Sequence, residues 1–345
     1  MLVCSRIIAA RTNATTVFVM SEINKPLEDD LRLAVVGAGT WGTVLAHIAA
    51  PCAQVSLYSG TGKNVQVLRE DRRHPKLPGF ILDGRVDVKD GIGEELKSAS
   101  AVILVVASRY VRSAAARIAP LLTDGTVVCI AAKGLEEGTA KTLSQVVAEE
   151  LPEADVCVLS GGSHAEEVAN NLPFGICLAG SSRARSVMRR IFAKARARFA
   201  EQDDVQSLER FGAVKNLIAI AAGIAEGLAL GDNFRACFLT DALEEARRFV
   251  GASAEEVFSY GALGDLLATA LSVHSRNFRY GRWLGQGLSP EKALAQVDMV
   301  VEGLNVARVF DQFPREDCPL LTRAANIAVR HENITRESFL ARLGY

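Results

Sequence analysis

Between Leu31 and Ala179 the chain alternates short apolar runs with longer amphipathic ones. Leu31–Val36, Gln54–Tyr58, Ala101–Ala107, Thr126–Ala131, Asp155–Leu159 and Gly175–Ala179 each read as buried strands. Strands apolar on both faces and separated by helical stretches predict a parallel sheet covered by helices. From about Ser207 onward such runs stop. Phe211–Leu230, Arg235–Phe249, Leu263–Ser272, Pro290–Val297 and Gly303–Phe310 have helical period or composition and are broken by glycine. The expected architecture is an α/β half over residues 31–205 and an all-helical half over 206–345, changing over near Asp203–Ser207. Neither an internal repeat nor a low-complexity tract is visible.

The sharpest local signal is Gly37-Ala38-Gly39-Thr40-Trp41-Gly42, directly after the first strand and opening the expected helix Thr43–Ala50. Gly37 permits a tight turn, Gly39 lets the backbone approach a pyrophosphate, and Gly42 lets helix pack on strand. A phosphate there would face the free N–H groups of a helix N-terminus. With a strand before it and a helix after it, the motif predicts a doubly wound Rossmann-type domain holding a nicotinamide dinucleotide. The end of the second strand usually selects NAD by an acid or NADP by a nearby arginine. Tyr58-Ser59-Gly60-Thr61-Gly62-Lys63 offers neither. Ser59, Thr61 and Lys63 suit a 2′-phosphate and no carboxylate repels it, so the expected cofactor is NAD or NADP with a lean to NADP.

Composition narrows the partners. Of 345 residues, 39 are Lys or Arg and 40 are Asp or Glu, for a formal charge of -1. That balance argues against nucleic acid as the main partner. The 7 cysteines are scattered, without a CxxC pair. They read as reduced thiols of a cytoplasmic protein with no metal site. The apolar run Ala101–Ala107 is far short of the ~18 residues a membrane span needs. Residues 1–30 are expected to be a disordered or mis-started extension, with Met20 as the true beginning; Arg6, Arg11 and the lack of acids before Met20 only faintly suggest a transit peptide.

Three clusters in the rest of the chain carry chemistry. Lys133 follows a strand at the sheet edge where ligands bind. Lys215 and Asn216 lie inside an otherwise apolar helix, and Gly264-Asp265 leads through Thr269 to Ser275-Arg276-Asn277. The ordered segments GAGTWGTVLA, AAKGLEEGTAKTL, GAVKNLIAIAAG, GLALGDN, GALGDLLATA, SRNFRYGRWLGQG and VVEGLN resemble the bacterial NAD(P)-dependent glycerol-3-phosphate dehydrogenase family. The resemblance implies an active site between the two halves, reduction of dihydroxyacetone phosphate, and a homodimer. It makes Lys215 the proton acceptor and Asp265 its catalytic partner. It implies cofactor contacts from Gly37, Gly39, Thr40, Trp41, Gly42 and Ser59, and from Lys133, Ala165, Arg276, Val300 and Glu302. Substrate contacts would come from Lys133, Gly161, Ser163, Lys215 and Asn216, and from Asp265, Thr269, Ser275, Arg276 and Asn277, with Arg276 and Asn277 on the phosphate.

Physically, an ammonium with an ordinary pKa near 10.4 is a poor base at neutral pH. An apolar helix would lower it, and a second cation such as Lys133 would lower it further, whereas Asp265 would oppose the shift. By itself Asp265 is also read as a helix cap, and Arg276 as part of a solvated helix start. The family's usual serine-glycine-proline-serine-phenylalanine stretch is replaced by Ser160-Gly161-Gly162-Ser163-His164. Neutral drift is one reading of that change; contact of His164 with a different substrate is another. The competing functions are accordingly a paralogue acting on another phosphorylated, phosphonate or carrier-bound substrate, and a non-catalytic dinucleotide sensor.

Overall fold

The computed structural model describes residues 31–62, 64–297, 300–312, 316–330 and 334–345, so the N-terminal extension and Lys63 lie outside the described residues. Eight strands form one sheet: β1 (Arg32–Val36), β2 (Gln54–Ser59), β3 (Asp87–Asp90), β4 (Ala101–Leu104), β5 (Val127–Ile130), β6 (Asp155–Ser160), β7 (Phe174–Gly180) and β8 (Ala197–Gln202). Their order is β3-β2-β1-β4-β5-β6-β7-β8. The first six run parallel and carry the Rossmann pattern. Helices α1 (Thr40–Ala49), α2 (Val65–Glu70), α3 (Val111–Ile118), α4 (Leu143–Glu150), α5 (Ala165–Ala169) and α6 (Ser182–Ile191) connect them. Two apolar clusters, one on each face of the sheet, give the doubly wound layering.

The sheet departs from the sequence reading in two ways. The edge strands β3 (DVKD) and β8 (ARFAEQ) carry charge and only partial burial, so neither produces the apolar run by which the inner strands were read. Strand β7 pairs antiparallel with β6, contrary to an all-parallel sheet. The five-residue α5 between them covers only about 8 Å, too little to return the chain along a strand of about 20 Å. The chain therefore turns straight back.

The second half is helical: α7 (Val205–Gly227), α8 (Gly231–Val250), α9 (Ala254–Val257), α10 (Asp265–Ala270), α11 (Arg276–Gly285), α12 (Pro290–Val297), α13 (Glu302–Gln312), α14 (Pro319–Arg330) and α15 (Arg336–Leu343). The helix expected over Leu263–Ser272 is instead a wide π turn, Tyr260–Gly264, followed by α10. There Gly261 presses onto β7: a Cβ on it would lie 2.7 Å from Cys177 Cβ. Residues Phe211 to Ala225 of α7 are buried, as the apolar sequence requires, and one apolar cluster surrounds them. Among the described residues no helix is long and apolar enough to cross a membrane.

Helix α11 lies against α7 almost backbone to backbone. A Cβ on Gly223 would stand 2.1 Å from Phe278 O, and one on Gly281 would stand 2.0 Å from Ile220 O. Backbone atoms cannot swing aside as a side chain does, so this contact fixes the separation of the two helices. Gly223→Ala is expected to destabilise the fold by about 3 kcal/mol or more. Equilibrium urea unfolding reads this directly, and a midpoint equal to the parent's would refute the close contact.

Candidate active site

A cleft of about 1030 Å³ opens where the C-terminal ends of β1, β2, β4, β5 and β6 face the helical half. At one end the Gly37–Gly42 turn delivers α1. Its N-cap, Gly39, supplies no side-chain hydrogen bond, and no acid lies in the first turn. A Cβ on Gly39 would meet nothing within 4 Å, whereas one on Gly42 would stand 1.9 Å from Gly37 O. Uncapped N–H groups thus open toward a cleft with room for a ligand. That is the cradle a pyrophosphate needs, so the residues present fit a dinucleotide.

At the other end three elements bring their charges to one point. Lys133, on the segment after β5, donates to Asp265 Oδ2 at 2.8 Å and to the Gly161 carbonyl at 2.8 Å. Lys215, in the middle of α7, donates to Asp265 Oδ1 at 2.5 Å and to Thr269 Oγ1 at 2.6 Å. Thr269 spends its own proton on the Asp265 carbonyl at 2.6 Å, so toward Lys215 it can only accept. Asp265 is the first residue of α10, not its cap. Burial, opposed by the Asp265 carboxylate and assisted by Lys133, brings Lys215 from its ordinary 10.5 down to about 7. Burial would push the Asp265 carboxyl up, but Lys133 and Lys215 together hold it below the usual carboxylate value.

A third group surrounds the start of α11. Ser275 Oγ accepts from Phe278 N at 3.2 Å and caps the helix, leaving the N–H groups of its first turn near the cleft. Arg276 is at the first helical position, where burial lowers its pKa and the nearby Glu302 and Glu166 carboxylates oppose that. It is therefore not on a solvated helix start. Asn277 is largely committed to the fold: its Nδ2 donates to Asn216 Oδ1 and its Oδ1 accepts from Gly303 N, both at 2.9 Å. Ser108 Oγ donates to Glu302 Oε2 at 2.7 Å across the cleft, tying the sheet to α13.

The sequence model of the NAD-dependent glycerol-3-phosphate dehydrogenase N-terminus matches residues 32–186, and that of the C-terminus matches residues 204–337. The chain belongs to this family. It is 37% identical to glycerol-3-phosphate dehydrogenase [NAD(P)+] of Agathobacter rectalis, over 80% of this chain and 84% of the relative. It is 41% identical to that of Moorella thermoacetica, over 79% of this chain and 83% of the relative. The crystal structure of glycerol-3-phosphate dehydrogenase from Coxiella burnetii superposes with a TM-score of 0.85 at 30% identity, covering 93% of this chain and all of that one. The chain is thus an NAD(P)-dependent oxidoreductase of the glycerol-3-phosphate dehydrogenase type.

All but one of the residues expected from this family's motifs line the cleft. Gly37, Gly39, Thr40, Trp41, Gly42 and Ser59 stand at the dinucleotide end, and Ser163, Ala165, Val300 and Glu302 beside them. Lys133, Lys215, Asn216, Asp265, Thr269, Ser275, Arg276 and Asn277 stand at the other end. Gly161 alone is set back, holding Lys133 through its carbonyl. Sequence reasoning missed Tyr110, Ala114 and Arg117 of the α3 segment, together with His74, Lys76 and Arg279. No motif marks these; they arrive because the topology puts them there. It also missed Glu209, buried on α7, which accepts from Ser144 N at 3.0 Å and fastens α7 to the start of α4. Burial raises that carboxyl to about 7, against its hydrogen bonds from Ser144.

Where the chain departs from its family, the two changes act together. A Cβ on Gly162 would stand 3.0 Å from Ala268 Cβ and 3.0 Å from Gly264 O, so glycine lets this loop press onto α10. His164 Nε2 then reaches the Ala268 carbonyl at 2.8 Å; a carbonyl only accepts, so Nε2 carries the proton. His164 therefore acts on the helix that carries Asp265 and Thr269. His164→Phe is expected to cost about 1 kcal/mol in urea unfolding through loss of that bond, and His164→Gln less. Equal stability of the parent and the phenylalanine variant would refute the bond.

Proposed function

We propose that the chain interconverts dihydroxyacetone phosphate and sn-glycerol 3-phosphate, with Lys215 giving and taking the proton. The observation that carries this is the count of hydrogens on Lys215 Nζ. It has two acceptors, Asp265 Oδ1 and Thr269 Oγ1. A neutral amine satisfies both and keeps its lone pair; an ammonium satisfies both and keeps one N–H. One fixed geometry therefore suits a base for alcohol oxidation and an acid for ketone reduction. A pKa near 7 lets both forms exist at working pH. A bound nicotinamide dinucleotide supplies or accepts the hydride. Lys133 holds Asp265 and faces the substrate, Asn216 lies beside Lys215, and Arg276 with the start of α11 receives the phosphate.

This reading treats residues 31–205 and 206–345 as two domains with the site between them. It takes the protein to be a cytoplasmic homodimer, on its scattered thiols and its family resemblance; mass photometry tests the oligomer. The paralogue and sensor readings are not favoured, since the family's own substrate accounts for both the anion end and the proton-transfer end.

Two outcomes test the assignment. Glycerol 3-phosphate oxidation needs neutral Lys215, so its rate should rise with pH through about 7 and then level. Reduction needs the ammonium and should fall as pH rises past the same point. Lys215→Ala should lower both rates by about 10²–10⁴-fold while leaving dinucleotide binding intact by fluorescence. Opposite limbs that do not share an inflection would remove Lys215 from the role. Separately, Arg276→Ala should raise KM for dihydroxyacetone phosphate by about 100-fold, the scale of a lost charge-assisted pair, with a smaller effect on kcat.

A further inference from the structure

We propose that Arg117 recognises the 2′-phosphate of the dinucleotide, so that the chain takes NADP(H) in preference to NAD(H) although the end of β2 carries no arginine. The inference rests on the dinucleotide reading above and extends it to the residue that sets cofactor choice. In a doubly wound sheet the ribose 2′ position meets the end of the second strand, where an acid favours a free hydroxyl and an arginine favours a phosphate. Here that place is occupied by Ser59 and Gly60, both uncharged, with Ser59 buried. A guanidinium comes instead from another element.

Arg117 lies in the last turn of α3 and reaches across the cleft end. Its Nη1 is 3.8 Å from where a Cβ on Gly60 would stand. The cleft wall there includes Ser59, Gly60 and Thr61 on one side and Tyr110, Ala114 and Arg117 on the other. Arg112, on the same helix, is tied to Glu136, Glu149 and Glu150. Arg117 is exposed and has no ion pair among the described residues. A guanidinium so placed offers two parallel N–H groups to a phosphate. His74 and Lys76 line the same end and add donors. The Asp90 carboxylate is set behind this wall, 3.4 Å from where a Cβ on Gly62 would stand, and among the described residues that line this end none is an acid.

The test uses the full chain and two ligands without a nicotinamide, 2′-phospho-ADP-ribose and ADP-ribose, titrated by calorimetry so that turnover plays no part. The parent should bind the phosphorylated ligand about 30-fold more tightly, within the range of charge-assisted hydrogen bonds. R117A should bring that ratio close to one by weakening only the phosphorylated ligand, and R117K should fall between. R117E should invert the preference. Equal weakening of both ligands would assign Arg117 to the adenine face and overturn the proposal. So would a ratio unchanged in R117A, or a parent that prefers ADP-ribose. A parent that binds neither ligand would remove the dinucleotide reading itself, which separates that failure from the failure of Arg117. Because Arg117 is exposed, unliganded thermal unfolding of R117A should match the parent and confirm that the variant is folded.

Discussion

The site depends on one buried carboxylate facing two ammonium groups. Asp265 gives one oxygen to Lys215 and the other to Lys133, and Ser160 Oγ adds a longer contact of 3.3 Å to the second. One carboxylate balances one ammonium. A second positive charge beside the same carboxylate raises the cost of charging either lysine, and that cost rises with depth. Side-chain exposure is 4% at Lys215 against 23% at Lys133, so desolvation falls mainly on Lys215. The sequence displayed the opposing influences on this lysine without ranking them. The geometry ranks them, because burial outweighs the attraction of Asp265.

Holding three charged side chains in this register requires a stiff frame, and the frame is made of backbone contacts. Helix α11 is pressed onto α7 at Gly223 and Gly281, and Gly303 at the start of α13 packs on the Asn216 carbonyl, where a Cβ would stand 2.7 Å away. Asn216, Asn277 and the Gly303 N–H then form a hydrogen-bonded chain through the three helices. The amides of Asn216 and Asn277 thus tie the helices together where they line the cleft. Arg276 and Lys215 sit one residue before these two amides, so the same joint that packs the helices also sets the distance between these two side chains.

Much of this was legible in the sequence, for identifiable reasons. Inner strands announce themselves because both faces are buried, and the glycine turn before α1 because backbone geometry demands it. Lys215 stood out because a lone charge in an apolar helix needs an explanation. Strands β3 and β8 were silent because edges tolerate charge. The reversal of β7 was silent because strand direction leaves no mark on an apolar run; only the shortness of α5 encodes it. Arg117 was silent for a different reason. An exposed arginine on an amphipathic helix looks like any other, and only the approach of α3 to Gly60 makes it distinctive.

The reversed strand has a mechanical consequence. Because β7 and β8 run away from the cleft, the chain leaves the sheet at its far edge and α7 must travel back past it. Its early residue Leu208 belongs to the sheet's apolar cluster, and from Phe211 onward it belongs to the helical one. A single helix of 23 residues, about 34 Å long, therefore crosses the junction like an axle. Lys215 rides at its middle, where every backbone bond is made and no end can fray. Any closing of the two halves would pivot about this axle, moving the dinucleotide turn relative to Lys215 and Arg276, which the α7–α11 contact keeps together.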